Sequence, residues 1–196
     1  MLVIAKATAL LAALNSAVLA VGRQIAIVLM GLMVLVILLQ VVFRYVLNDA
    51  LPWSEEAARF MMLWMAGLAA PSAYRWGGFV AIDMVPELLP KKVGAILSFV
   101  LLLVAMLVLV TAVQLGWNHV NSGWLFNSSS LKIPRAIWGG EGIQRIKLAW
   151  MYLSMFVGVC LLVAVNIELV LRAFLTLFDR EDDVPPVKPM FAMEAD

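Results

Sequence analysis

The chain has 196 residues, of which 64% are hydrophobic and 14% charged, and its formal net charge is +1. The 14 Lys and Arg are scattered, so nothing forms the basic footprint that nucleic acid requires, and no stretch is long enough for an extramembrane domain with a core of its own. One cysteine, Cys160, rules out an intrachain disulfide and a multi-cysteine metal or redox site, and one histidine, His119, rules out a haem held by two histidines.

Residues 1–20, with Lys6, an apolar middle and small residues at Ala17 and Ala20, have some features of a signal peptide. Another apolar stretch follows after only Gly22, Arg23 and Gln24, so the expected reading is an interfacial or helix-extending lead-in to a first span. Four apolar stretches, 25–43, 60–74, 93–115 and 148–167, then dominate the chain. About 20 apolar residues at 1.5 Å per residue cross a hydrocarbon core of about 30 Å. The expected fold is therefore an all-α integral membrane protein with four transmembrane helices, over about 23–47, 54–75, 93–116 and 148–174.

The turn after the first span is written in Asn48, Asp49 and Pro52. The second span has Pro52 near its start and Glu55 and Glu56 in its first turn, at the positive end of the helix dipole. It closes at Arg75, Gly77 and Gly78. Its one proline break is Pro71, and Gly67, like Gly31 in the first span, suits close helix packing. The longest connection, 118–147, interleaves Trp124, Phe126, Ile133, Ile137 and Trp138 with Lys132, Arg135, Arg145 and Lys147. That mixture predicts an interfacial helix with its basic heads at lipid phosphate. Residues 1–180 thus form a single membrane domain, and 181–196 an acidic, proline-bearing, disordered tail.

Four spans put both termini on one side. That side carries eight Lys and Arg against six on the other, which favours cytoplasmic termini. Trp53, Trp117, Trp124, Trp138 and Trp150 fall near the opposite interface, as anchors in an aromatic belt.

The charges of the spans lie near their ends. Glu55 and Arg59 are four apart and Glu56 and Arg59 three apart, so each pair shares a helix face, with Arg44 entering from the preceding span. Glu168 and Arg172 form a second pair near the other interface. No acid stands at mid-span as a carrier site would require, so both groups are expected to tie helices together or dock a partner. No catalytic constellation is visible, and no enzymatic activity, cofactor or metal is expected.

Residues 40–84, QVVFRYVLNDALPWSEEAARFMMLWMAGLAAPSAYRWGGFVAIDM, resemble the small membrane subunit of tripartite ATP-independent periplasmic (TRAP) transporters. The resemblance rests on Arg44 and Tyr45 ending the first span, Asn48, then Pro52, Trp53, Ser54, Glu55 and Glu56, then Arg59, Trp64 and Gly67, and finally Arg75, Gly77, Gly78 and Asp83. In the later half Ser129, Leu131 and Pro134 also match, after which 136–147 reads as an insertion. The resemblance implies a bacterial inner-membrane scaffold for a large, multi-span, sodium-coupled subunit, with a periplasmic binding protein delivering an organic acid. The matching residues would serve the partner interface or the internal structure. The rival reading from the residues alone is a self-associating tetraspan that moves a cation or drug, using a buried acid such as Glu56 or Glu168.

Overall fold

A single helix of 44 residues, α1 (Leu2–Tyr45), opens the fold and runs unbroken through Gly22, Arg23 and Gln24. Nothing there breaks a helix, so the lead-in extends the first span and does not lie apart from it. At 1.5 Å per residue α1 is about 66 Å long, twice a hydrocarbon core, so it must tilt or overhang in a bilayer. The computed structural model describes residues 2–77, 90–134 and 143–178. Gly78, Asp83, Trp138 and the tail 181–196 lie outside the described residues.

The inward face of α1 repeats with alternating steps of three and four. Ala5, Thr8, Ala12, Asn15, Leu19, Gly22 and Ala26 are buried, and Leu29, Met33, Val36, Gln40 and Phe43 continue the row half-covered. A 3.5-residue period is the seam of a left-handed coiled coil. Small residues along its first half let neighbouring backbones come close. Asn48 ends the segment with φ 52°, the left-handed conformation that asparagine tolerates better than most residues.

The second helix, α2 (Ser54–Arg75), contains Pro71 and stops at Gly77, whose φ of 76° favours glycine. Helix α3 (Lys91–Gly123) is apolar and uncharged from Val93 onward apart from a few small or amide side chains and His119, and α4 (Ala149–Leu177) completes the set. Among the described residues, α1, α3 and α4 are each long and apolar enough to cross a membrane. The expected second span, α2, is about 33 Å long by its 22 residues but less apolar.

In its described residues the connection forms strands where an interfacial helix was expected. Helix α3 continues to Gly123, and the chain then makes an antiparallel hairpin of β1 (Asn127–Pro134) and β2 (Ile143–Lys147). Its register pairs Asn127 with Lys147, Lys132 with Arg145 and Ile133 with Gln144, with an irregularity between Asn127 and Lys132. Two features outweigh the apolar-basic texture that suggested a helix. Ser128, Ser129 and Ser130 compete for backbone hydrogen bonds in a helix, and β-branched Ile133, Ile143 and Ile146 with Pro134 prefer extended backbone.

Contacts fix the helix directions. Gln40, Gly22 and Ser16 of α1 meet Ser54, Leu68 and Arg75 of α2, so these two are antiparallel. Trp64, Gly67, Tyr74 and Arg75 meet Trp150, Ser154, Asn166 and Glu168 in the same order, so α2 and α4 are parallel. Helix α3 runs antiparallel to α4, with Trp124 on Trp150, Trp117 on Phe156 and Phe99 on Phe174. The order of neighbours is α1, α2, α4, α3, and α1 also reaches α4 where Ala5 packs on Leu175.

Helices α2 and α4 touch backbone to backbone. A Cβ on Gly67 would stand 2.5 Å from the Ser154 carbonyl oxygen, and one on Gly158 would stand 2.7 Å from the Gly67 carbonyl oxygen. Pro71 contributes to this contact, since lacking an N–H it leaves the carbonyl four residues back, on Gly67, without its helical donor. That oxygen is then free to face the Gly158 Cα–H. Gly31 has nothing within 4 Å, so close packing does not account for it.

Candidate functional site

Polar groups gather at two levels of the helix layer. At the level where α2 ends, Glu168 is fully buried, and its carboxylate accepts hydrogen bonds from Arg75 Nη2 at 2.8 Å, Asn15 Nδ2 at 2.8 Å and Arg172 Nε at 3.0 Å. Arg172 sits one turn along α4 on the same face, four residues from its partner. The Arg75 guanidinium also donates to Ser16 Oγ at 2.7 Å and to the Ala12 carbonyl at 3.0 Å. A lone charge within a span costs about 2.5–3.5 kcal/mol on insertion scales, and pairing offsets the cost of burying the three charged groups that α2 and α4 carry here.

Two residues back, and so about 200° around α4, Asn166 faces the other way. Its Oδ1 accepts from the Tyr74 hydroxyl at 2.5 Å, and its Nδ2 donates to the Leu102 carbonyl of α3 at 3.2 Å. Through Asn166 and Glu168, α4 is hydrogen-bonded to each of the other three helices.

At the opposite level the expected charge group divides. Arg59 pairs with Glu55 at 2.7 Å, with both side chains largely exposed at 67% and 75%, so the pair contributes little to stability. Glu56 does not join them. It accepts from the Ser130 backbone N–H at 2.8 Å and from the Ser129 and Ser130 hydroxyls, and so ties the hairpin to α2. Arg44 lies over the ring of its neighbour Tyr45, 5.9 Å from the centroid. Trp64 donates its Nε1–H to the Trp150 carbonyl at 3.2 Å, and Ser54 bonds Gln40 of α1. Trp117, Trp124 and Trp150 stand half-exposed with their rings against α3–α4 partners, and Trp53 borders the turn before α2.

Glu56→Gln is expected to weaken the hairpin tie by about 1 kcal/mol, because a charge-assisted acceptor becomes a neutral one. Limited proteolysis within the hairpin should quicken several-fold while helix content by circular dichroism holds. Unchanged cleavage would show that the hairpin is held elsewhere.

Sequence reasoning missed Asn15, Ser16, Tyr74 and Asn166. The two asparagines carried a usable signal, since each is an isolated amide in an otherwise apolar run and must find partners. Among the described residues no group of three or more His, Cys, Asp or Glu converges to hold a metal.

A family model for tripartite ATP-independent periplasmic transporters, DctQ component, matches residues 33–176. The chain belongs to that family. The DctQ match takes in α2, α3, the hairpin and nearly all of α4, and it begins in the last third of α1. The chain is 35% identical over 107 residues to the sialic acid TRAP transporter small permease protein SiaQ of Vibrio cholerae. It is 32% identical over 72 residues to a protein of Haemophilus influenzae named as a TRAP transporter small permease. Those alignments take in 54% and 37% of this chain and 61% and 45% of the relatives, so the chain spans about half the length of the curated relatives it matches. It is a small permease subunit of TRAP type and a multi-pass membrane protein.

Proposed function

We propose that this subunit scaffolds a larger TRAP membrane subunit in the bacterial inner membrane. In this reading α2 is the fourth span, both termini are cytoplasmic, and the partner carries the substrate and sodium sites. A periplasmic binding protein delivers the substrate, an organic acid bearing a carboxylate; sialic acid, in the name of the Vibrio relative, is one such acid.

The observation that carries the reading is how the polar residues are used. Glu168, Arg75, Asn15 and Asn166 are engaged in holding the helices to one another, while α1 and α3 turn bare apolar flanks outward, with Leu38 at 61% and Leu107 at 68% exposure. A self-sufficient cation carrier would need Glu168 available to its cargo, whereas two guanidinium groups and an amide occupy it. The deciding experiment is gentle purification of the tagged chain from native membranes with intact-mass identification of what accompanies it. A stoichiometric large membrane protein supports the scaffold; a homo-oligomer of this chain alone overturns it.

The residues shared with the family pattern would then serve the interface or its support. Charge reversal at Glu55 or Arg59, both exposed, is expected to lower the yield of the complex more than it alters the apparent substrate affinity. Normal complex yield with lost transport would count against an interface role. For orientation, a cysteine placed at Ser129 should be labelled by an impermeant reagent from the periplasmic side, and labelling only from the cytoplasm would invert the topology.

A further inference from the structure

We propose that the groove between α2 and α3, floored by α4, holds one acyl chain of a bilayer phospholipid with its phosphate at the Arg75 end. Helices α2 and α3 each pack on α4, and the space left between them is a cavity of about 630 Å³. Apolar residues make up most of its lining, among them Leu102, Ala105 and Leu109 of α3 and Leu162 and Leu169 of α4. Polar groups enter mainly at one end, from Tyr74, Arg75 and Gly77 at the close of α2.

Three properties select the occupant. The volume lies in the range of small-ligand sites and is far too small for a further spanning helix of about 20 residues. The lining is amphipathic along its length, apolar toward the middle of the layer and polar at the end of α2, which matches a chain with a head and not a wholly apolar molecule. The groove also opens sideways, past Val104 at 58% and Val108 at 57% exposure, onto the apolar flank of α3 and so toward lipid.

The headgroup end has cationic donors. Arg75 makes four hydrogen bonds to Glu168, Ser16 and Ala12, which leaves one of the five guanidinium N–H groups for a phosphate oxygen. Lys92 is exposed in the first turn of α3 at the same end of the layer. Together they favour phosphate, and an anionic headgroup over a zwitterionic one. The inference needs only that the chain be embedded in a bilayer, and it stands apart from the scaffold role.

Native mass spectrometry of the purified full chain, with any protein that accompanies it, tests the proposal, with phosphatidylglycerol, phosphatidylethanolamine and an uncharged detergent offered in turn. The wild type is expected to retain one phospholipid per chain, phosphatidylglycerol foremost. Ala105→Phe and, independently, Val108→Phe place a ring in the groove and should lower retention about tenfold, while Leu107→Phe, whose site is exposed and outside the groove, leaves it unchanged. Lys92→Glu should abolish the preference for phosphatidylglycerol. Circular dichroism and an unchanged denaturation midpoint establish that each variant is folded. The proposal is overturned by a wild type that retains no phospholipid, by groove variants that retain it fully, or by equal retention of phospholipid and uncharged detergent. Loss of a large protein partner from the groove variants, with lipid content unchanged, would assign the groove to that partner and also overturn it.

Discussion

Replacing Glu168 with alanine is expected to destabilise the membrane domain by about 3–5 kcal/mol, the usual consequence of removing one partner from a buried ion pair. Arg75 and Arg172, only 9% and 18% exposed, would keep their charges inside the layer with no carboxylate between them, and Asn15 would keep the Ala164 carbonyl as acceptor but lose the carboxylate. The helices would remain helical but lose the charged tie between α1, α2 and α4, leaving α1 on α4 through Ala5–Leu175 packing and the Asn15–Ala164 bond. Denaturant titration in mixed micelles measures the loss, and an unchanged midpoint would refute the account of the cluster. A triple variant separates the charge penalty from the geometry. With Arg75→Met, Arg172→Leu and Glu168→Leu combined, no charge is stranded, and stability should return to within about 1–2 kcal/mol of the wild type.

The other large effect is expected at the α2–α4 crossing. Gly67→Leu must push the helices apart, because even its Cβ would overlap the Ser154 carbonyl oxygen at 2.5 Å, and that atom is backbone that no rotamer change can move. Overpacking of this kind costs about 1–3 kcal/mol, and more where backbones meet. Separation would also lengthen the Tyr74–Asn166 and Arg75–Glu168 bonds along the same interface. Gly31→Leu provides the contrast, since nothing lies within 4 Å of that site and the substitution should leave the stability of the isolated subunit within about 0.5 kcal/mol. If the two variants behave alike, the crossing is not where α2 and α4 are held.

The helices were legible in the sequence because a long uncharged run leaves the backbone no alternative in lipid but to satisfy itself. The pairing of Arg59 with Glu55 was legible too, being set by a spacing of four on one helix. Local pattern could not reveal the partners of Glu168 and Arg75, which lie 93 residues apart and meet only because α4 settles beside α2. The hairpin was misread because interleaved apolar and basic residues carry no period that separates a surface helix from a strand pair, and the triple serine was the feature to weigh. Glu56 was given to Arg59 for the same reason. Sequence distance offered a partner three residues away, while the folded chain presents Ser129 and Ser130 from 73 and 74 residues on.

The neighbour order α1, α2, α4, α3 also bears on how the protein is made. The chain emerges in a different sequence from the one in which it packs, so α3 leaves the ribosome before the helix that will stand between it and α2. Until α4 arrives, Arg75 has, among the described residues, the Ser16 hydroxyl and the Ala12 carbonyl, and the seat of α4 is vacant. Arrival of the last helix therefore closes the middle of the layer and brings Arg75 its carboxylate partner. A nascent chain halted before residue 149 should remain a client of membrane quality control, and one carrying α4 should be released from it. Glu168 is thus the last group to join a cluster whose other α1 and α2 members, Asn15 and Arg75, are synthesised well before it.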